Sequence, residues 1–445
     1  MATTSPDHRT LAVFALVCFG QVISQFGSQL TLFVLGVWVF ETTGSATQFS
    51  LISFFAVLPQ TLVLPFAGAL VDRLDRRWIM ILADFGSGLT TLVLLFLIGS
   101  GRLEIWHIYP IVGVSACFNA LQVPAFSAST VMLVPKQHLM RANGAVEMGI
   151  ALALMAAPVS AGALLGKIGL VGVVVIDVVT FLIAVVTLLL VRIPSPESEE
   201  GGDRRSLLRD AVFGWTYVRT RHGLLGLLGL FAAVNLTFGM VQVGLTPLIL
   251  SFASSAQLGI VLSIATTGMV VGGLGVVVWG GPTHHRMRLI LAMLAVQGGI
   301  LFFGGVRPSV PLVAGAAFIF TFCQPVVLAC SQAIWQTKVP PNLQGRVFAI
   351  RRLVATSTTP VAFLAVGPLA DYFLEPWLAA DGALAGTVGR LIGVGPGRGL
   401  GFLFVILGAV TLVALLVALA YRPLRNLEDE LPDADATVSG QGASD

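Results

Sequence analysis

Charge is scarce in this chain. Of its 445 residues only 11% are Asp, Glu, Lys or Arg, whereas 56% are hydrophobic, and the mean hydropathy is +0.92. No water-soluble domain covers that much apolar surface with so few charges. Cysteine is equally thin. Cys18, Cys117, Cys323 and Cys330 all fall within apolar runs, where they serve as small apolar residues and support neither a disulfide framework nor a zinc site. There is no Gly-x4-Gly-Lys-Ser/Thr phosphate loop, so ATP is not expected as an energy source. The run GVGPGRG at Gly393–Gly399 imitates one, but it precedes no suitable strand–helix unit and reads as a turn. No histidine lies at the centre of an apolar run. His284 and His285 read as a solvated pair in a loop, which argues against an intramembrane enzyme. No cofactor, metal or nucleic-acid partner is expected.

The chain is rich instead in long apolar runs. A helix needs about 20 apolar residues to cross a bilayer, and twelve stretches qualify: 11–40, 45–71, 78–99, 106–133, 143–166, 169–192, 223–254, 256–280, 288–305, 311–336, 346–370 and 400–421. Barrel strands would be shorter and alternating, so the expected fold class is all-α integral membrane. The first run is too long for a cleavable signal. With an inside N-terminus, only Arg102, Lys167, Arg307, Arg390 and Arg398 of the 25 basic residues fall outside. Inside loops collect Lys and Arg, so both termini are expected in the cytoplasm. None of the 25 is expected at the bilayer centre, which disfavours phosphate or carboxylate substrates.

The longest polar interruption, IPSPESEEGGDRR from Ile193, divides the stretches six and six. Expected domains are a cytoplasmic tail 1–10, a six-helix bundle 11–192, a cytoplasmic linker 193–222, a second bundle 223–421 and an acidic disordered tail 422–445. Within the linker, Ser206 can cap a helix whose apolar face carries Leu207, Ala211, Trp215 and Val218. That helix would lie along the inner membrane surface; the alternative is a loosely ordered basic segment. The halves echo each other, with VPKQHLMRAN after the fourth stretch and VPPNLQGRVF after the tenth, and with Pro158 matched by Pro360. Such a repeat is a transporter plan, with the substrate site between the halves.

Charge gathers in one short turn, where five of the six residues from Asp72 to Arg77 are charged. The sequence resembles the major facilitator superfamily over essentially its full length, and within it the bacterial macrolide-efflux and enterobactin-export branch. The family signature between helices 2 and 3 is matched by Gly68, Asp72, Arg73, Arg76 and Arg77, with Asp75 where a Gly usually sits. GRVFAIRR after the tenth stretch and GPGRG before the twelfth also resemble that branch. The resemblance implies two pseudo-symmetric six-helix bundles working by alternating access. It also implies an inner-gate latch in which Asp72 meets the N-terminus of helix 11, where a carboxylate is stabilised. The simpler reading makes this turn a topology anchor, which accounts for the arginines but not for Asp72. The helix 4 partners usual in relatives, an acid or an Arg, are missing here.

Amides mark a candidate cavity. Helix 1 carries Gln21, Gln25 and Gln29 at steps of four, which makes one face. Helix 4 carries Asn119 and Gln122, helix 7 Asn235 and Gln242, and helix 10 Gln324, Gln332 and Trp335. Helices 3, 6, 9 and 12 together offer one amide, Gln297. In the facilitator fold helices 1, 4, 7 and 10 surround the cavity and the other four lie outermost. The competing explanation for any one amide is a helix–helix hydrogen bond. Helix 5 holds Ala153, Ala157, Pro158 and Gly162 in a pattern similar to the family's exporter motif, which ordinary close packing explains nearly as well. For proton coupling, which needs a titratable group within the protein, the candidates are Asp84, Glu147 and Asp177. Asp177 stands on a helix expected outside the cavity.

The expected function is therefore secondary active transport: a monomeric, proton-driven exporter of amphipathic small molecules in contact with membrane lipid, in the bacterial inner membrane. A uniporter or a lipid-moving facilitator of the same fold is the alternative.

Overall fold

The computed structural model describes residues 8–71, 74–135, 139–191, 215–282 and 284–431. Among them are eleven helices long and apolar enough to cross a membrane, and no strand. The longest helix, Leu139–Leu190, is interrupted at Gly169 by φ 65° and ψ −175°. Those angles are essentially confined to glycine. The helix therefore holds two arms, α5 (139–168) and α6 (170–190), each longer than the roughly 30 Å hydrocarbon core at 1.5 Å per residue. The others are α1 (His8–Thr43), α2 (Ala46–Val71), α3 (Arg76–Gly99), α4 (Ile105–Leu133), α7 (His222–Leu250), α8 (Ser255–Trp279), α9 (Arg286–Gly304), α10 (Val310–Lys338), α11 (Pro341–Pro368) and α12 (Arg398–Ala420). A π-helical turn, Leu369–Leu374, follows α11.

The described residues form two compact units. The first comprises α1 to α6 with Ala253–Ser263, and the second comprises α7 and the chain from Ile264 onward.

In the first unit the core is stratified. Phe14, Val17, Ile79, Met80, Ala125 and Leu188 form one apolar cluster. Leu35, Val39, Ile52, Leu94, Ile108 and Val174 form another. Between them on α1, α3 and α6 lie the buried polar residues Thr31, Asp84, Asp177 and Thr180. α1 and α6 approach closely because Gly20 and Gly27 of α1 face Thr187 and Thr180 of α6, so that an added Cβ at either glycine would strike the threonine hydroxyl. On α5, Ala157 and Ala161 are fully buried beside Leu30 and Val34 of α1, and a Cβ on Gly162 would stand 2.8 Å from the Ser255 carbonyl of the same unit.

The charged turn is tied to its own bundle. Asp75 caps α3 by accepting from the Arg77 amide at 2.9 Å. The Arg77 guanidinium donates to the carbonyls of Leu188 (3.0 Å) and Leu189 (2.8 Å), in the last turn of α6. Arg76 donates to the Ala128 carbonyl of α4 at 3.2 Å. Cations are favoured where a helix leaves carbonyls unpaired. Asp72 and Arg73 lie outside the described residues, as do Ser206, Leu207 and Ala211 of the linker.

The second unit has a large core cluster, in which Leu224, Leu227, Ile290, Val327, Ile334 and Trp335 are almost fully buried. Two buried bases sit at span ends. Lys338, in the last turn of α10, donates to the carbonyls of Glu428 and Leu431, and Arg398, opening α12, donates to the Ile392 carbonyl.

Candidate functional site

The polar layer of the first unit is a hydrogen-bonded set. Gln122 of α4 donates to the Gln21 side-chain oxygen at 2.5 Å, and Gln21 donates to Asp84 Oδ2 at 2.7 Å. Two turns further along α3, Thr91 Oγ1 donates to Asp177 Oδ2 at 3.3 Å, and Ser28 of α1 donates to Asp177 Oδ1 at 3.4 Å. Both carboxyls are buried, Asp84 at 7% exposure and Asp177 at 3%. An unpartnered charge at membrane depth is costly, and the amides and hydroxyls supply each acid with donors.

Two cavities adjoin this set. The larger, about 320 Å³, is bordered by Gln25, Ser28 and Gln29 of α1, Gln60 of α2, Thr90 and Thr91 of α3, Ser115 and Asn119 of α4, Asp177 of α6, and aliphatic side chains such as Leu32, Val57 and Ile111. The smaller, about 40 Å³, is bordered by Gln21, Ser24, Asp84, Ser87 and Gln122, and it shares Gln25, Ser28, Thr91, Asn119 and Asp177 with the larger. Among the described residues, Asp177 is the one charged side chain bordering the larger cavity. A space walled by amides, hydroxyls, aliphatic groups and a single carboxylate suits a molecule with both apolar and hydrogen-bonding surface.

The amide-bearing positions Gln21, Gln25, Gln29, Asn119 and Gln122 are thus brought together. Asp177 joins them, whereas the resemblance to the facilitator fold placed its helix outside the cavity. Its path inward is the small-residue stripe, since Gly20 and Gly27 let α6 lie against α1. Glu147 is exposed and borders neither cavity.

In the second unit Gln324 is buried, Asn235 is half-buried and Gln242 is exposed. Gln332 accepts from Arg351 Nη1 at 2.6 Å, and the same guanidinium lies 5.8 Å from the Trp335 ring centroid. Trp335 itself is 1% exposed and packed in the core, so its ring is a core anchor. Arg351 lies within a stretch expected to span, and its guanidinium turns toward α10. Gln332 lies six residues, about 9 Å along the axis, from the end of α10, and Arg351 reaches it from α11.

The family profile described as Major Facilitator Superfamily matches residues 17–362. Macrolide efflux protein A of Streptococcus pyogenes is 27% identical over 389 residues, 83% of this chain and 93% of that protein. Multidrug efflux pump Tap of Mycolicibacterium fortuitum is 23% identical over 377 residues, covering 80% and 88%. Among solved structures, a bacterial homolog of the human lysosomal transporter Spinster, inward-facing and unoccupied, matches with a TM-score of 0.69 at 14% identity, over 93% of this chain and 97% of that one. The nucleoside transporter NupG matches with a TM-score of 0.70 at 10% identity, over 92% and 99%.

Proposed function

Because the chain belongs to the Major Facilitator Superfamily, we propose that it exports amphipathic small molecules of the drug or macrolide kind in exchange for protons, by alternating access. It is a multi-pass bacterial membrane transporter with efflux-pump relatives. The direction and the substrate class rest on those relatives. The coupling rests on one observation: a buried carboxylate, Asp177, borders a cavity otherwise walled by amides, hydroxyls and aliphatic groups. A side chain there can hold a proton or release it, and a substrate in the same cavity feels the difference. Asp84 is the second candidate and Glu147 the third.

In this reading both termini and the 193–222 linker are cytoplasmic, the protein acts as a monomer, and the 68–77 turn closes the inner gate. The skewed distribution of arginine supports the orientation.

Reconstitution into proteoliposomes tests the function. A radiolabelled macrolide is expected to accumulate when a pH gradient is imposed and to stop accumulating in Asp177→Asn. Accumulation that ignores the gradient would make the protein a uniporter.

A further inference from the structure

Asp84 and Asp177 border the same small cavity, yet only Asp177 also borders the larger one. They are well separated. Thr91, which donates to Asp177, stands seven residues beyond Asp84 on α3, two turns or about 10 Å. Two carboxyls at that distance cannot share a proton directly. The small cavity they share is also bordered by Ser24 and Ser28 of α1, Ser87 and Thr91 of α3, and Gln122 of α4. Gln122 Oε1 is buried without a hydrogen-bond partner, and a buried acceptor of this kind calls for a donor. A water needs roughly 10–15 Å³ and two to four polar neighbours, so a cavity of about 40 Å³ walled by these groups has room for two or three. Among the described residues no other charged side chain borders either cavity.

We propose that this small cavity is a proton relay between two stations, Asp84 and Asp177, and that it runs beside the substrate cavity and not through it. The inference rests on the proton-exchange reading above and gives that reading a route. An O–H bond at one carboxyl breaks as one at the other forms. Each water or hydroxyl between them takes one proton and gives one, so a single positive charge moves and nothing is oxidised or reduced. Asp177 is the group that proton and substrate have in common. Asp84, shut off from the substrate cavity, exchanges protons only.

Proteoliposomes with a trapped pH dye and a macrolide gradient report protons moved per macrolide, and equilibrium exchange of labelled macrolide reports carriage without net proton flow. Ser87→Leu fills the small cavity with hydrocarbon. Ser87→Leu and Asp84→Asn are each expected to slow proton movement at least tenfold more than they slow exchange, with the control Gly229→Ala on α7, where a Cβ meets nothing within 4 Å, within threefold of native. If Ser87→Leu does not insert, Ser24→Val narrows the same space and takes its place. Native-like proton movement in both Asp84→Asn and the cavity-filling variant overturns the relay and leaves proton exchange standing. Absence of macrolide-linked proton movement in the native protein overturns both.

Discussion

Gly27 of α1 lies so close to Asp177 of α6 that a Cβ on the glycine would stand 2.9 Å from Asp177 Oδ1 and collide with the Thr180 hydroxyl. The buried acid owes its place to the absence of a side chain opposite.

Gly27→Ala should therefore push α6 away from α1. Overpacking of this kind costs about 1–3 kcal/mol, so the melting temperature in detergent should fall, and gradient-driven accumulation should fall with it. Gly229→Ala on α7 is the control, because a Cβ there meets nothing within 4 Å; its stability should hold or rise slightly. Equal melting temperatures for Gly27→Ala and native protein would show that the contact relaxes without cost.

Gln25 borders both cavities, and Gln297 is buried with its amide donating to the Phe320 carbonyl at 3.0 Å. The two should answer differently to the same change. Gln25→Leu is expected to weaken macrolide binding by about 1–3 kcal/mol, roughly five- to a hundredfold, with unfolding unchanged. Gln297→Leu is expected to cost roughly 0.6–2 kcal/mol of stability with affinity unchanged. Binding isotherms and thermal melts on both variants settle it, and identical behaviour would remove the distinction between lining and structural amides.

Arg77 ties α3 to the end of α6 through two carbonyls. Arg77→Lys keeps the charge but cannot reproduce the forked pair of bonds. A loss of about 1 kcal/mol is expected, read as earlier protease cleavage between residues 191 and 215. A cleavage pattern like the native one would reduce Arg77 to a topology signal.

Asp72→Asn preserves size and removes the charge that the proposed latch requires. Transport should fall while membrane insertion stays normal, and cysteines placed on the cytoplasmic side of the cavity should label faster. Native transport rates would leave the turn with an anchoring role alone.

Single cysteines in 193–222 should resist an impermeant thiol reagent in intact cells and label after lysis. Ready labelling in intact cells would reverse the assigned orientation.

The helical fold and the amide cluster of the first bundle were legible in the sequence because both follow from simple periodicity. Gln21, Gln25 and Gln29 repeat every four residues, and an apolar helix that turns amides to one side turns them toward something polar. Asp177 was harder to place. Its own helix is apolar all round, so its orientation is set by the partner, through Gly20 and Gly27. A glycine pair seven residues apart, facing a threonine pair at the same interval, was the available signal. The break at Gly169 was visible only as a boundary between two apolar stretches. The direction of Arg351 was open in the sequence: a long side chain near a span end can point either to water or inward, and its partner Gln332 decides. Trp335 shows the limit of helical spacing, which puts a residue on a face without saying whether that face meets a cavity or a core.

The two apolar clusters that flank the polar layer of the first bundle have an electrical consequence. Ions cross hydrocarbon poorly, so a proton bound in this polar stratum between them has apolar packing on either side along the membrane normal. A proton that enters this stratum from one face and leaves by the other crosses the full potential, worth about 2.3 kcal/mol per 100 mV. Such a cycle draws on voltage as well as on acidity, and at equal pH on both sides an imposed potential alone would suffice to turn it.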